Sequence, residues 1–146
     1  MNIEILEVMD NNYVNVKYIH GSFIGKWMDK NVPQKRRYEV EIDYNKILHY
    51  EILNEKYYCI KNLSGKNIIC GFILLEGRMN EEKVGEMFQW IDFIGNGILH
   101  IDKNDNGQIN EYVEGNIMQI GIQDNNLKNK FIGLELDEIE LYPIEY

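Results

Sequence analysis

The second half of the chain has very few positive charges. Of the fifteen Lys and Arg residues, only Lys103, Lys128 and Lys130 lie beyond residue 83, against twelve of the 24 Asp and Glu residues. The whole net charge of -9 therefore belongs to residues 84–146. Because phosphate recognition depends on Lys and Arg, this balance excludes a general nucleic-acid binder and disfavours an anionic membrane surface. It favours a basic protein partner, and the alternative is an acidic surface that only aids solubility.

Cysteines and long apolar runs are also scarce. Cys59 and Cys70 each lie within a short apolar run, which predicts two reduced, buried thiols rather than a disulfide. The longest apolar run, Ile68 to Leu75, is far shorter than the roughly 20 residues of a transmembrane helix. The segment Met1 to Val8 carries acidic residues where a signal peptide has bases. We therefore expect a cytoplasmic protein.

No catalytic signature is present. The sequence has no nucleophile elbow, no Gly-rich phosphate loop and no carboxylate pair with an evident role. His20, His49 and His100 share no metal-ligand spacing with one another or with the cysteines. These absences predict a protein that is not an enzyme and that needs no cofactor and no metal.

One polar segment partly matches a calcium-binding loop. Asp102, Asn104, Asn106 and Gly107 have the spacing of the first positions of an EF-hand loop. The twelfth position is Val113 rather than the bidentate Glu that calcium requires, so the pattern favours a polar hairpin loop. A calcium or small-molecule site is the alternative, and it requires one pocket that collects His100, Asp102 and Glu114.

The apolar pattern predicts a mainly β fold. Alternating apolar and polar residues recur in short segments separated by Gly, Asn and Asp. We expect a single domain, residues 1–146, of about seven to nine antiparallel strands. A small barrel is preferred and a sandwich is the alternative. The run Ile68 to Leu75 is apolar throughout, so it is expected to be the central strand.

Several local features are more specific. Asp10 to Asn12 is expected to turn an N-terminal hairpin, and residues 20–37 to form a long irregular segment. Tyr38 to Asp43 and Ile47 to Leu53 are expected to pair as a hairpin, with Leu48, Tyr50 and Ile52 facing the core. Residues 80–94 fit a helix slightly better than a strand, although Gly85 costs about 1 kcal/mol inside a helix.

The last sixteen residues carry the clearest functional pattern. Leu134 and Leu136 alternate with acidic residues, and Ile139 and Leu141 resume the alternation after one extra residue. This spacing predicts a half-buried strand with a bulge. Because no Lys or Arg follows Lys130, we expect the outward carboxylates to lack a local cation and to suit a basic partner.

The strand Tyr38 to Asp43 and the acidic tail Glu135 to Glu145, in a small chain without a signal peptide, resemble small acidic immunity proteins of bacterial toxin systems. The resemblance implies a cytoplasmic protein that occludes a basic toxin. It extends to the whole chain but rests on no diagnostic motif, and a structural or assembly module is the alternative. The predicted partner-binding residues are acidic tail residues and two aromatic anchors, namely Glu135, Asp137, Glu138, Glu140, Trp27 and Trp90.

Overall fold

The chain folds mainly into β-strands, as the sequence predicts. The structure is a computed structural model that describes residues 1–80, 83–107, 109–122 and 124–144. It contains thirteen strands in these residues, so the expected number of about seven to nine is too low, and it has two short 3-10 turns at Asp10–Asn12 and Asn125–Leu127. No helix in the described part of the chain has the length and apolar character to cross a membrane. The residues group into two compact units.

The first unit comprises Met1–Glu51, Cys59–Cys70 and Gly133–Tyr146. Five strands close a barrel in it, in the order β1, β2, β3, β13 and β4. Their bounds are β1 Asn2–Val8, β2 Tyr13–Tyr18, β3 Gly21–Trp27, β4 Arg37–Asp43 and β13 Glu140–Pro143. Strand β13 pairs parallel with β3 and antiparallel with β4, so the end of the chain closes the barrel.

The barrel core consists of apolar side chains from alternating positions. It includes Ile3, Ile5, Val14, Val16, Phe23, Val40, Ile42 and Leu141, all less than a tenth exposed. The N-terminal hairpin is confirmed, and Asn11 and Asn12 in its turn both have positive φ angles, which Asn tolerates better than most residues. Strand β3 occupies part of residues 20–37, so the expectation of an irregular segment throughout is wrong.

The second unit comprises Ile52–Tyr58 and Gly71–Ile132. Its strands are the later part of β7 (Lys66–Asn80), then β8 Lys83–Asp92, β9 Ile98–Lys103, β10 Ile109–Glu114 and β11 Ile117–Ile120. Strands β9 and β10 form a two-stranded sheet. Strands β5 (Ile47–Leu53), β7 and β12 (Phe131–Leu136) each have residues in both units.

A six-stranded sheet runs in the order β11, β8, β7, β12 and β5, with β6 (Cys59–Leu63) also pairing with β7. Strand β7 is central, and Ile69, Cys70, Ile73 and Leu74 are buried on both of its faces, as predicted. Cys59 and Cys70 stand opposite each other on β6 and β7, and both are buried and reduced, which confirms the prediction.

The helix expected over residues 80–94 is a strand. Residues 83–92 pair along β7, and Gln89, Ile91 and Phe93 are buried on one face at strand spacing. Pairing with a long central strand outweighs a weak helical period that contains Gly85. Residues 81 and 82, the expected first turn of the helix, lie outside the described residues.

Two expectations for the middle of the chain are also wrong. Strand β4 pairs with β1 and β13, and β5 pairs with β12, so β4 and β5 do not form a hairpin. Leu48, Tyr50 and Ile52 do not face a core: they are 51%, 38% and 49% exposed. Both errors have one cause: β1 and β13 pair with the two edges of β4, so β5 cannot pair with β4.

Candidate functional site

The carboxylates of Glu135 and Glu138 have cationic neighbours, contrary to the expectation from the sequence. Lys66 Nζ lies 3.5 Å from Glu135 Oε1, and Lys26 Nζ lies 3.6 Å from Glu138 Oε2. The Tyr13 hydroxyl also donates a hydrogen bond to Glu138, and this bond is the main cause that raises the pKa of Tyr13. Both lysines come from strands far away in sequence, so no local pattern could reveal the pairing.

Asp137 lies at a break between β12 and β13, where the sequence predicted a bulge. Its Oδ1 accepts hydrogen bonds from the backbone N–H groups of Lys46 and Glu138, at 3.0 and 2.8 Å. Burial raises the pKa of Asp137, but these bonds and others from Asn45 outweigh burial and lower the pKa overall. The carboxylate therefore stabilises the break, and its acceptor capacity is largely used within the chain.

Glu140 has a different setting, because it lies on β13 beside β4. Glu140 stands opposite Asp43, and Tyr142 stands opposite Glu41. Glu39, Glu41 and Asp43 alternate along β4 with buried Val40 and Ile42, and all three carboxylates are exposed. Side chains at directly opposite positions on one face lie about 5 Å apart. We call Glu39, Glu41, Asp43 and Glu140 the acidic face.

Tyr142 lies within the acidic face and responds to its charge. Its hydroxyl donates to Glu140 Oε1 at 3.3 Å. Burial raises the pKa of Tyr142, and the charges of Glu140 and Asp43 raise it further. The phenol therefore holds its proton more tightly than a free tyrosine, as expected in a negative potential.

The cations around the acidic face lie at its margins. Arg37 precedes Glu39 by two residues on β4, and Lys26 stands opposite Glu140 on β3. The ammonium group of Met1 is near enough to Glu39 and Glu41 for their charges to raise its pKa, although burial lowers that pKa more strongly. Within the described residues, no side-chain ion pair neutralises the three β4 carboxylates. Like charges on facing positions destabilise a sheet, so an external cation would relieve repulsion here.

The two tryptophans predicted as anchors lie in different settings. Trp27 is only 4% exposed, its Nε1 donates to the Asn31 carbonyl oxygen at 2.9 Å, and its ring packs edge-on against Tyr38. A side chain so buried offers no surface to a partner, so Trp27 is not part of the candidate site. Trp90, in the second unit, is half-buried, and its Nε1 is buried with no hydrogen-bond partner among the described residues.

His100 and Glu114 meet on the hairpin of β9 and β10. His100 Nε2 lies 2.8 Å from Glu114 Oε2, and the imidazole stacks on Tyr112 with ring centres 4.6 Å apart. The Glu114 side chain is 69% exposed, and Asp102 is also exposed, so the arrangement is a surface pair. Within the described residues, no group of three His, Cys, Asp or Glu side chains is placed to hold a metal ion. Gln108, in the predicted calcium loop, lies outside those residues.

No family model, no curated protein and no solved structure matches this chain. The resemblance to immunity proteins therefore stays a prediction. Of the features placed in the structure, the acidic face joins the two segments on which that resemblance rests, the strand Tyr38 to Asp43 and the acidic tail.

Proposed function

We infer that this chain is a non-enzymatic binding protein that docks a basic protein on the acidic face of β4 and β13. The observation that carries the inference is the facing register of Glu140 with Asp43, beside exposed Glu41 and Glu39. Four carboxylates on two neighbouring strands form an ordered negative surface. Such a surface steers a cationic partner and fixes its orientation more than it adds raw affinity.

The structure also favours this surface over the rest of the predicted site. Glu135 and Glu138 already have lysine neighbours, and Asp137 is bonded to backbone N–H groups. A partner that recruited those carboxylates would have to break contacts within the chain. Glu140, which is half-buried, stands opposite the exposed Asp43 of β4, so the proposed interface shifts from the tail toward β4.

Tyr142 supplies the aromatic contact that the buried Trp27 does not. It is 37% exposed and lies among the carboxylates of the acidic face. Tyrosine is enriched in the energetically dominant positions of protein interfaces, where an Arg from a partner can stack on the ring. In the specific form suggested by the resemblance to immunity proteins, the partner is a basic toxin whose active-site cations meet these carboxylates.

The test is capture of the partner by wild-type protein and by a charge-neutral variant. The variant carries Glu39→Gln, Glu41→Gln and Glu140→Gln, all at side chains outside the core. We expect wild-type protein to retain a basic protein from the native host at low salt and to release it at about 1 M salt, where the Debye length is about 3 Å. The variant should bind that protein at least about tenfold more weakly.

A matched control separates the acidic face from net charge. Glu7→Gln, Asp10→Asn and Glu55→Gln remove the same charge at exposed positions outside β4 and β13, and this variant should bind like wild type. The toxin form predicts further that the captured protein arrests growth when expressed alone and that wild-type chain, but not the acidic-face variant, relieves the arrest. Equal binding by both variants, or no basic protein captured, would contradict the proposal.

A further inference from the structure

The outer edge of β5 is exposed and apolar. Strand β5 ends the six-stranded sheet: it pairs with β12 on one side, and no described strand pairs with its other side. Leu48 and Ile52 are about half exposed, and Tyr50 is 38% exposed. Edge strands usually carry lysine or proline against unwanted pairing, and Ile47–Leu53 contains neither. The outer edge of β5 therefore has the properties of an edge that pairs with another strand.

The sequence of β5 is complementary to itself when reversed. An antiparallel copy related by a twofold axis through Tyr50 places Ile47 opposite Leu53, and Leu48 opposite Ile52. His49 then stands opposite Glu51 of the other copy, and each of these pairs occurs twice. A twofold interface requires this property, because the same patch must complement itself.

We propose that β5 pairs edge to edge with β5 of a second copy of this chain, in the register centred on Tyr50. One face of the paired strands then carries only Leu48, Tyr50 and Ile52 from each copy. The other face carries two His49–Glu51 pairs between apolar ends. An imidazole N–H donates to a carboxylate whether the ring is neutral or charged, so the polar pair is matched in both states.

Other registers lose this match. A shift by one residue places Leu48 opposite Glu51, which sets a carboxylate against an apolar side chain. Shifts by two residues place His49 opposite His49, or Glu51 opposite Glu51. Neither pairing joins an imidazole donor to a carboxylate, and like charges directly opposite each other in a sheet are unfavourable. Charge complementarity therefore selects both the occupant and the register.

The first experiment is sedimentation of the full chain over about a hundredfold range of concentration, where mass action governs pairing. Wild-type protein should form a discrete dimer. His49→Glu and Glu51→Lys should each weaken the dimer at least about tenfold, because the first places two carboxylates face to face and the second removes the carboxylate that accepts from His49. The double variant His49→Glu with Glu51→His exchanges the two charges and should restore dimerisation. Both substituted positions, 49 and 51, are exposed, so circular dichroism should show an unchanged fold.

The second experiment reads the register directly by disulfide trapping. Tyr50→Cys places the new thiol opposite its own copy, at a Cα separation of about 5 Å that suits a disulfide. Leu48→Cys places the two thiols roughly 13 Å apart along the strands, too far to bridge. The native Cys59 and Cys70 are buried and give the background with wild-type protein. Covalent dimer should form at least tenfold faster for Tyr50→Cys than for Leu48→Cys.

Several outcomes would overturn the proposal. They are a monomer at every concentration, a dimer insensitive to both single substitutions, failure of the charge exchange to restore pairing, or equal trapping at positions 48 and 50. Open-ended aggregates instead of a dimer would also overturn it. Pairing of β5 with strands other than β5 of a second copy would overturn it too. The acidic-face variant should dimerise like wild type, so failure of partner docking and failure of β5 pairing are separate results.

Discussion

At the scale of single residues, Gly71 lies where β7 closely approaches the end of β8. A Cβ atom added at Gly71 would overlap the backbone carbonyl oxygen of Asp92 and crowd the Cα atom of Phe93. Backbone atoms cannot rotate away as a flexible side chain can. The φ angle of Gly71 is not in the positive range, so the backbone conformation does not require glycine. The lack of space for a Cβ atom does.

Gly71→Ala should lower the free energy of unfolding by about 3 kcal/mol, because overpacking forces the backbone apart. Urea unfolding of the purified protein measures the change. Gly121→Ala is the matched control, since a Cβ atom there meets nothing within 4 Å, and it should leave stability within about 1 kcal/mol of wild type. Similar losses for both variants would contradict the steric explanation.

Asp137 makes a prediction about pH. Its folded pKa lies below the ordinary value of 3.8, because bonds from Lys46, Glu138 and Asn45 outweigh the effect of burial. A lowered folded pKa contributes stability that is present above the unfolded pKa and is lost as pH falls through the folded pKa. The advantage of wild type over Asp137→Asn should therefore be constant near neutral pH and shrink below about pH 4.

Urea titrations at a series of pH values measure this advantage, with Asp10→Asn as the exposed control for the loss of one charge. The control should differ little from wild type, because exposed substitutions usually change stability by about 0.5 kcal/mol or less. If the advantage of wild type over Asp137→Asn persisted unchanged at the lowest pH, the carboxylate would not be the group responsible.

The residues of the candidate site were only partly predictable. Glu140 was identified correctly as an outward-facing acid, because strand alternation is a local property. The lysine neighbours of Glu135 and Glu138 were missed, since both contacts join strands remote in sequence. Trp27 shows the same limit only in part. Trp is highly buried on average, which favours packing in the core, but Gly21, Gly25 and Pro33 interrupt the pattern around Trp27, so its place on β3 could not be read.

At the scale of elements, the strands could be predicted where the alternation was clean, but the pairing between strands could not. Strands β4 and β5 were both located within a residue of their bounds, yet the hairpin between them does not form. Strands adjacent in sequence usually pair, but in the barrel β4 pairs with β1 and β13 instead. The exposed face of β5 follows from this, because its apolar residues have no core to enter.

The closing strand β13 should be the element on which the barrel depends most. Leu141 is fully buried and packs beside Gly25 of β3, while its neighbour Tyr142 points outward and is 37% exposed. Leu141→Ala should cost about 3 kcal/mol through lost burial and a residual cavity. Tyr142→Ala, on the same strand, should cost less than about 1 kcal/mol.

Thermal and urea unfolding of both variants measure the contrast. Equal losses at positions 141 and 142 would mean that side-chain burial at the closing strand is not what holds the barrel together. If Leu141→Ala were unfolded at room temperature, the barrel would depend on Leu141 even more strongly. Circular dichroism would then show whether the second unit keeps its β-structure.

At the scale of the whole molecule, the pattern of apolar residues predicted the fold class better than the distribution of charge along the chain predicted the acidic face. The mainly β class was predicted correctly from alternation. A barrel was preferred because of the apolar run in β7, and a barrel is present, but β7 belongs to the six-stranded sheet and not to the barrel. The excess of acid beyond residue 83 was also real, but sequence position did not show where carboxylates would gather. The acidic face takes three of its four members from β4, in the part of the chain whose net charge is zero.

Dimerisation through β5 gives a last prediction for the whole molecule. If only folded chains pair, a hundredfold rise in concentration above the dissociation constant adds about 2.7 kcal/mol per dimer, or half of that per chain. For a chain of this size the Tm should then rise by about 4 °C. Scanning calorimetry of wild type should show this rise, Glu51→Lys should show a smaller rise over the same concentrations, and His49→Glu combined with Glu51→His should show the full rise again. A Tm that is independent of concentration in all three proteins would mean that the exposed edge of β5 does not recruit a second copy, because pairing that favours the folded state must appear in the melting temperature.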